Sequence, residues 1–196
     1  PTFLVGDIRI PGDNWKNRFL EACRDRGIEN HMILELLGPA DQEFFAQVDN
    51  TFPEYSIQMS PDSHDEKVRR KLGRNFTTPA MECTIQNALS KENCNRFDLF
   101  FMIGLPEQDR DSAIGSVEYA SRLYDMVDDD RRLSVYTSPL APFLDPGSRA
   151  FESPEEFGYR LFARTLEEHR SRLTKPSWKY ALSYETEWMT RDDIAE

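Results

Sequence analysis

The stretch Phe97-Asp-Leu-Phe-Phe-Met-Ile-Gly104 leaves a folding chain few options. Its apolar residues fall on both sides of a strand's alternation. Strands covered on both faces belong to parallel sheets with helices on either side. Gly104-Leu-Pro106 stops the run and Glu107-Gln-Asp109 leads into a helix. In α/β folds ligands sit at such carboxyl ends of strands, so this turn is the first place to look for a site.

The same rhythm, a short apolar run and then a longer amphipathic segment, recurs along the chain and is the signature of βαβ units. Strands are expected at 3–10, 31–37, 55–59, 97–104 and 133–137. Helices are expected at 15–26, closed by Gly27, and at 41–48, with Phe44, Phe45 and Val48 on one face. A short basic helix should run through Leu72, and Thr78-Pro79 should open another, with Thr at the cap and Pro in the first turn. A longer helix is expected at 112–127. Ser153-Pro-Glu-Glu156 combines a capping Ser, a first-turn Pro and a Glu at the third position, which predicts a helix running to about Leu173. Trp178, Tyr180, Tyr184 and Trp188 make the tail unusually aromatic, as if it docked onto the domain or met a partner. The expected fold is α/β, a parallel sheet of about five βα units over residues 1–175, with 176–196 as an extension. Open doubly wound sheets and (β/α) barrels both answer this rhythm, and both carry function at the strands' carboxyl ends.

Composition narrows the partners. The net charge is −11, with acidic residues spread along the chain instead of gathered in a tail, which disfavours nucleic acid and anionic membranes. No apolar run approaches the roughly 20 residues of a membrane span, so the expectation is a soluble, cytoplasmic protein acting on a small molecule. Cys23, Cys83 and Cys94 are odd in number and irregular in spacing, matching neither a disulfide framework nor a metal motif, and no metal site is expected from them. The chain opens on Pro1-Thr-Phe-Leu-Val, already inside an apolar run, and is expected to be a piece of something longer.

The candidate residues follow from the strand ends: Gly6 and Asp7, Glu35, Ser60 and Asp62 to Asp65, Ile103 to Gln108, and Ser138 to Asp145. Each also has a plain structural explanation. Ser60-Pro-Asp-Ser-His-Asp65 is good helix-capping chemistry, Gly104-Leu-Pro106 serves to end a strand, and Pro139, Pro142 and Pro146 stiffen a loop. His31, His64 and His169 share no metal-ligand spacing. Glu35 is the sharpest candidate, because a carboxylate within an apolar strand is costly unless paired or used. No dinucleotide, Walker, nucleophile-elbow or zincin motif is present.

In order along the chain, Ser-Pro-Asp-Ser-His-Asp-Glu-Lys-Val-Arg-Arg (60–70), Phe-Met-Ile-Gly-Leu-Pro (101–106) and the Pro-rich turn ending Asp145-Pro-Gly147 resemble the later part of radical S-adenosylmethionine enzymes. The likeness is greatest to the branch with an upstream cobalamin-binding domain. It implies units two to six of a six-unit partial (β/α) barrel, S-adenosylmethionine as cofactor, a [4Fe–4S] cluster, and cobalamin bound by a domain outside this chain. It places Ser60, Asp62 and Ser63 near the ribose, Met102, Ile103 and Gly104 against the adenine through backbone and apolar contact, Ser138 and Pro139 across the purine, and Glu35 at the barrel mouth as a polar substrate or cofactor contact. The family's Cys-x-x-x-Cys-x-x-Cys is not in this sequence, so the cluster ligands would belong to a missing N-terminal part of the same protein, and this chain alone should be inactive. Where the family reads Gly-Leu-Pro-Gly-Glu-Thr, this chain reads Gly-Leu-Pro-Glu-Gln-Asp. An incomplete barrel should leave the first strand with an open edge. Two other readings stay open: a different (β/α) barrel lyase or hydrolase using Glu35 with Asp7 or Asp62 as acid and base, which requires those carboxylates to converge, and a non-catalytic module that binds a nucleotide or a protein.

Overall fold

The computed structural model describes residues 1–139 and 143–196. Strand and helix alternate as β1 (Thr2–Leu4), α1 (Asp13–Asp25), β2 (Met32–Leu36), α2 (Gln42–Asp49), β3 (Tyr55–Asp62), α3 (Glu66–Lys71), α4 (Thr78–Leu89), β4 (Cys94–Ile103), α5 (Arg110–Met126) and β5 (Leu133–Pro139). Then come α6 (Arg149–Glu152), a 3₁₀ turn (Pro154–Phe157), β6 (Tyr159–Leu161), α7 (Leu166–Leu173), α8 (Trp178–Ala181), β7 (Tyr184–Thr186) and α9 (Arg191–Ala195). The first five strands form one open parallel sheet in the order β1-β2-β3-β4-β5. Doubly wound sheets reverse their order at a switch point. Here the order never reverses, which is the winding of a barrel segment. Among the described residues β1 pairs with β2 alone, leaving it at the sheet edge.

The chain divides into two compact units. The first comprises Pro1–Asp62, Arg74–Phe100 and Tyr119–Tyr136, and so holds β1 to β3 and most of β4 and β5. Met32, Leu34 and Leu36 alternate inward along β2, and every second residue of β3 is buried from Tyr55 to Met59. Phe44, Phe45 and Val48 of α2, with Met81, Ile85 and Ala88 of α4, complete this core. Burying a side chain of this size stabilises by roughly 1.5–3 kcal/mol, which is why the apolar pattern decides which face turns in.

The second unit comprises Ser63–Gly73, Phe101–Glu118 and Thr137–Glu196. Its core gathers Ala113, Leu144, Phe151, Tyr159, Leu182, Tyr184, Met189 and Ile194. The tail gives Leu182, Tyr184, Met189 and Ile194 to this core, while Trp178, Tyr180 and Trp188 are exposed. β7 pairs antiparallel with β6, and the Tyr159 and Tyr184 rings meet edge to face at 5.6 Å.

Four expectations are corrected. The first strand stops at Leu4 because Gly6 turns the chain at φ +91°, so Asp7 lies in the turn and not in a strand. The strands β3 and β5 run further than expected, to Asp62 and Pro139, which puts Ser60, Asp62, Ser138 and Pro139 within strands. The cap of α4 is Thr77, whose hydroxyl accepts from Ala80 N, with Pro79 still in the first turn. The helix expected from Ser153 to Leu173 is broken: Ser153 makes no side-chain cap, Gly158 ends the 3₁₀ turn at φ +68°, and 159–161 is a strand. The helix restarts at Thr165, where Thr165 and Glu168 form a capping box.

Candidate functional site

Alternation along the strands sorts the singled-out residues by face. One face of the sheet is apolar and buried, with Leu34, Leu36, Ile57, Met59, Phe97 and Leu99. On the other, Ile33 stands beside Ser56 and Glu35 beside Gln58, and Ser60 and Asp62 continue the row. Gln58 donates to Asp98 Oδ2 (3.5 Å), Arg96 donates to Asp98 Oδ1 (2.6 Å), and Arg96 also bonds the Tyr136 hydroxyl.

Within the first unit this face carries a polar row that the sequence reading missed. A cavity of about 440 Å³ is lined by Pro1, His31, Ile33, Ser56, Gln58, Arg96 and Asp98. His31 uses both ring nitrogens, Nε2 with Ser56 Oγ (2.8 Å) and Nδ1 with Glu54 Oε1 (3.2 Å). The alternation of Ser56, Gln58 and Ser60 with Ile57 and Met59 is the signal that reveals the row.

Glu35 stands one residue beyond the last β1–β2 pair and accepts from the Gly6 amide through Oε2 at 2.5 Å. Its other oxygen makes no hydrogen bond among the described residues. Asp7 is committed elsewhere: it accepts from the Leu37 amide (3.0 Å) and from Arg9, whose guanidinium in turn donates to the carbonyls of Gly38 (2.7 Å) and Pro39 (2.5 Å). Burial pushes the Asp7 carboxyl up, but these donors outweigh it and hold it below the ordinary range. Asp7 therefore pins the turn after β1 to the turn after β2. A carboxylate so occupied does not serve as an acid–base partner for Glu35.

Asp62, at the end of β3, is in the left-handed region (φ +69°) and pairs with Arg74 at 3.0 Å. Its pKa is raised because burial outweighs that cation. Ser60 is half-buried on the polar face, and no hydrogen bond of its side chain ties it to another described residue.

In the second unit, Ser63 is fully buried and its hydroxyl accepts from the Asp65 amide, while Asp65 caps α3 by accepting from Lys67 N (2.7 Å). The wholly buried Arg69 reaches back to the carbonyls of Ser63 (2.9 Å) and His64 (2.7 Å). His64 Nδ1 meets Ser116 Oγ at 3.0 Å, and its ring lies where a Cβ on Gly115 would stand, 2.7 Å away. These hydrogen bonds tie the loop to α3 and α5.

The Gly104 turn is closed by one side chain. Gln108, fully buried, accepts from the amides of Gly104 (2.9 Å) and Leu105 (3.2 Å) and donates to the Met102 carbonyl (3.0 Å). A Cβ at Gly104 would meet Ile194 at 3.1 Å and Tyr184 at 3.3 Å. The main-chain groups of Met102 and Gly104 that the resemblance offers to an adenine are thus engaged by Gln108, and Ile103 packs against the unit's core. Glu107 takes the left-handed φ of +61°, and Lys67 and Lys71 hold its carboxylate at 3.3 and 3.4 Å. Ser138 and Pro139 end β5; Leu140, Ala141 and Pro142, expected in the loop beyond, lie outside the described residues.

The cysteines do not fit an iron–sulfur cluster. Cys23 is on α1, Cys83 is exposed on α4, and Cys94 is buried at the amino end of β4, opposite the strand ends. Burial pushes the Cys94 thiol up to about 12, whereas a cluster ligand must be a thiolate. Among the described residues no three His, Cys, Asp or Glu side chains stand together as a metal site would require, and no helix is long and apolar enough to cross a membrane. No protein-family model, curated protein or solved structure matches the chain.

Proposed function

We propose that this chain is the later part of a radical S-adenosylmethionine (β/α) domain, and that the polar face at the carboxyl ends of β2 and β3 holds the adenosyl cofactor. One observation carries the reading: five parallel strands in unreversed order turn Glu35, Gln58, Ser60 and Asp62 to a single face, opposite the apolar core. In a barrel that face is the interior, and ligands lie at the strands' carboxyl ends. Ser60 and Asp62 supply hydroxyl and carboxylate to a ribose diol. The second oxygen of Glu35 accepts from an amino group of cofactor or substrate. Because Gln108 already holds the main chain at Met102 and Gly104, polar recognition rests on the first unit.

The chemistry the resemblance implies is reductive cleavage of the cofactor or methyl transfer through cobalamin. Its cluster requires three cysteines at one place, and Cys23, Cys83 and Cys94 lie apart on α1, α4 and β4, so this chain's share is to bind and orient the organic cofactor. A lyase or hydrolase pairing Glu35 with Asp7 is disfavoured because Asp7 is spent on Arg9 and Leu37.

Calorimetry with S-adenosylhomocysteine tests the proposal. The expected result is saturable binding, weakened about tenfold by Glu35→Gln and several-fold by Ser60→Ala, in line with the loss of a hydrogen bond to a charged and to a neutral group. Absence of binding by the folded chain, or binding unchanged in both variants, overturns it.

A further inference from the structure

One side of helix α7 makes little packing contact within its own unit, apart from His169 against Phe143. Leu166, His169, Arg170 and Leu173 recur at spacings of three and four, which puts them on one stripe. No residue of α7 is buried, and Leu166 and Leu173 are 87% and 60% exposed. A different part of the helix makes its contacts: Arg172 donates to the Phe162 carbonyl (2.9 Å) and lies over the Phe162 ring at 5.3 Å. Phe143 and Pro146, from the segment after β5, and Arg164 join the stripe to line a cavity of about 430 Å³.

We propose that this cavity binds a small amphiphile with an apolar body and a single carboxylate, such as a medium-chain fatty acid. Its volume is that of an ordinary small-ligand site, apolar with a few placed polar groups. Phe143, Pro146, Leu166 and Leu173 are apolar, and among the described residues no carboxylate lines the cavity. In a chain of net charge −11, two guanidiniums at one apolar hollow mark a preference for an anion. Arg164 makes no ion pair among the described residues. Arg170 has Glu167 only at 3.8 Å, with both side chains exposed, and such pairs hold weakly. His169 meets the Phe143 ring edge-on at 5.6 Å, and its buried Nε2 has no hydrogen-bond partner among the described residues. A carboxylate fits the planar guanidinium fork through paired hydrogen bonds, while the apolar body covers Leu166 and Leu173. A neutral chain of the same length gains only the apolar part.

The test is a titration of the isotope-labelled chain, followed by amide shifts, with decanoate and with decanol. Decanoate should bind saturably, moving Phe143, Leu166, His169 and Leu173, and should bind about tenfold more tightly than decanol, the worth of a charge-assisted bond. The double variant Arg164→Ala, Arg170→Ala should bring decanoate down to decanol's affinity. Leu173→Asp, at an exposed position that leaves folding intact, should abolish both. Equal affinity for acid and alcohol overturns the proposal, as do shifts confined to other residues. So does line broadening that rises with protein concentration in the absence of ligand, which would mean that a second copy covers this face.

Discussion

Two carboxylates at strand ends have opposite reasons for being where they are. Asp7 has its pKa lowered in the fold, so its contribution to stability is whole above the ordinary carboxylate value and is lost as pH falls through the folded one. Asp62 is raised, so it weighs against the fold at neutral pH and is relieved on acidification. Replacing Asp7 by Asn is therefore expected to cost about 1.5–3 kcal/mol at pH 7, the range for hydrogen bonds to a charged group. The gap to the natural chain should begin to narrow below about pH 4 and close only once the pH has fallen through the lowered folded value, as urea unfolding over a pH series will measure. Glu107 makes a second case at this scale. It endures a left-handed backbone and is held by Lys67 and Lys71. Glu107→Gln keeps the strain and loses both ion pairs, whereas Glu107→Gly loses the pairs and the strain together. The thermal midpoint of the Gly variant should exceed that of the Gln variant by a few degrees.

Among the elements, the segment from Ser153 to Leu173 shows how capping signals are overruled. Ser-Pro-Glu-Glu starts a turn as its composition demands, but Gly158 ends it in the left-handed region, with the Trp188 ring where a Cβ would lie, 2.4 Å away. This close approach lets β6 leave the turn in register with β7, Tyr159 facing Thr186 and Leu161 facing Tyr184. Gly158→Ala must strain the backbone and displace Trp188, at a cost of roughly 1–3 kcal/mol. Amide exchange in β6 and β7 should accelerate, while that in β2 and β3 of the first unit stays unchanged.

For the molecule as a whole, the open sheet is the governing fact. β1 is three residues long, with β2 on one side and, among the described residues, no strand on the other, and Val5, Ile10 and Trp15 are exposed close by. Short edge strands limit edge-to-edge pairing, yet an apolar edge still invites it, and a lysine there is a common remedy. Val5 is 83% exposed, so Val5→Lys should leave the thermal midpoint unchanged and remove any rise of sedimentation coefficient with concentration. Retained self-association in that variant would place the contact elsewhere on the surface.

The βα rhythm, the Phe44–Phe45–Val48 face of α2, the strand at Phe97 and the capping stretch ending at Asp65 were legible from the sequence because each rests on residues within a turn or two of one another. The expectation that the Phe97 strand is covered on both faces is corrected: it buries Phe97, Leu99 and Phe101 on one face and leaves Phe100 and Met102 half-exposed on the other. Glu35 was legible as a carboxylate out of place. Only the tertiary structure decided where the first strand ends, since the turn is tied by Glu35 and Arg9 across some thirty positions of chain. The same holds for the polar row of His31, Ser56, Arg96 and Asp98, which exists only once β2, β3 and β4 lie side by side. Gln108 closing the Gly104 turn and the tail entering the second core are of this kind too. Local pattern fixes which way a segment can fold and which face it must bury; partners brought together from distant positions settle how far it runs and what its free face becomes.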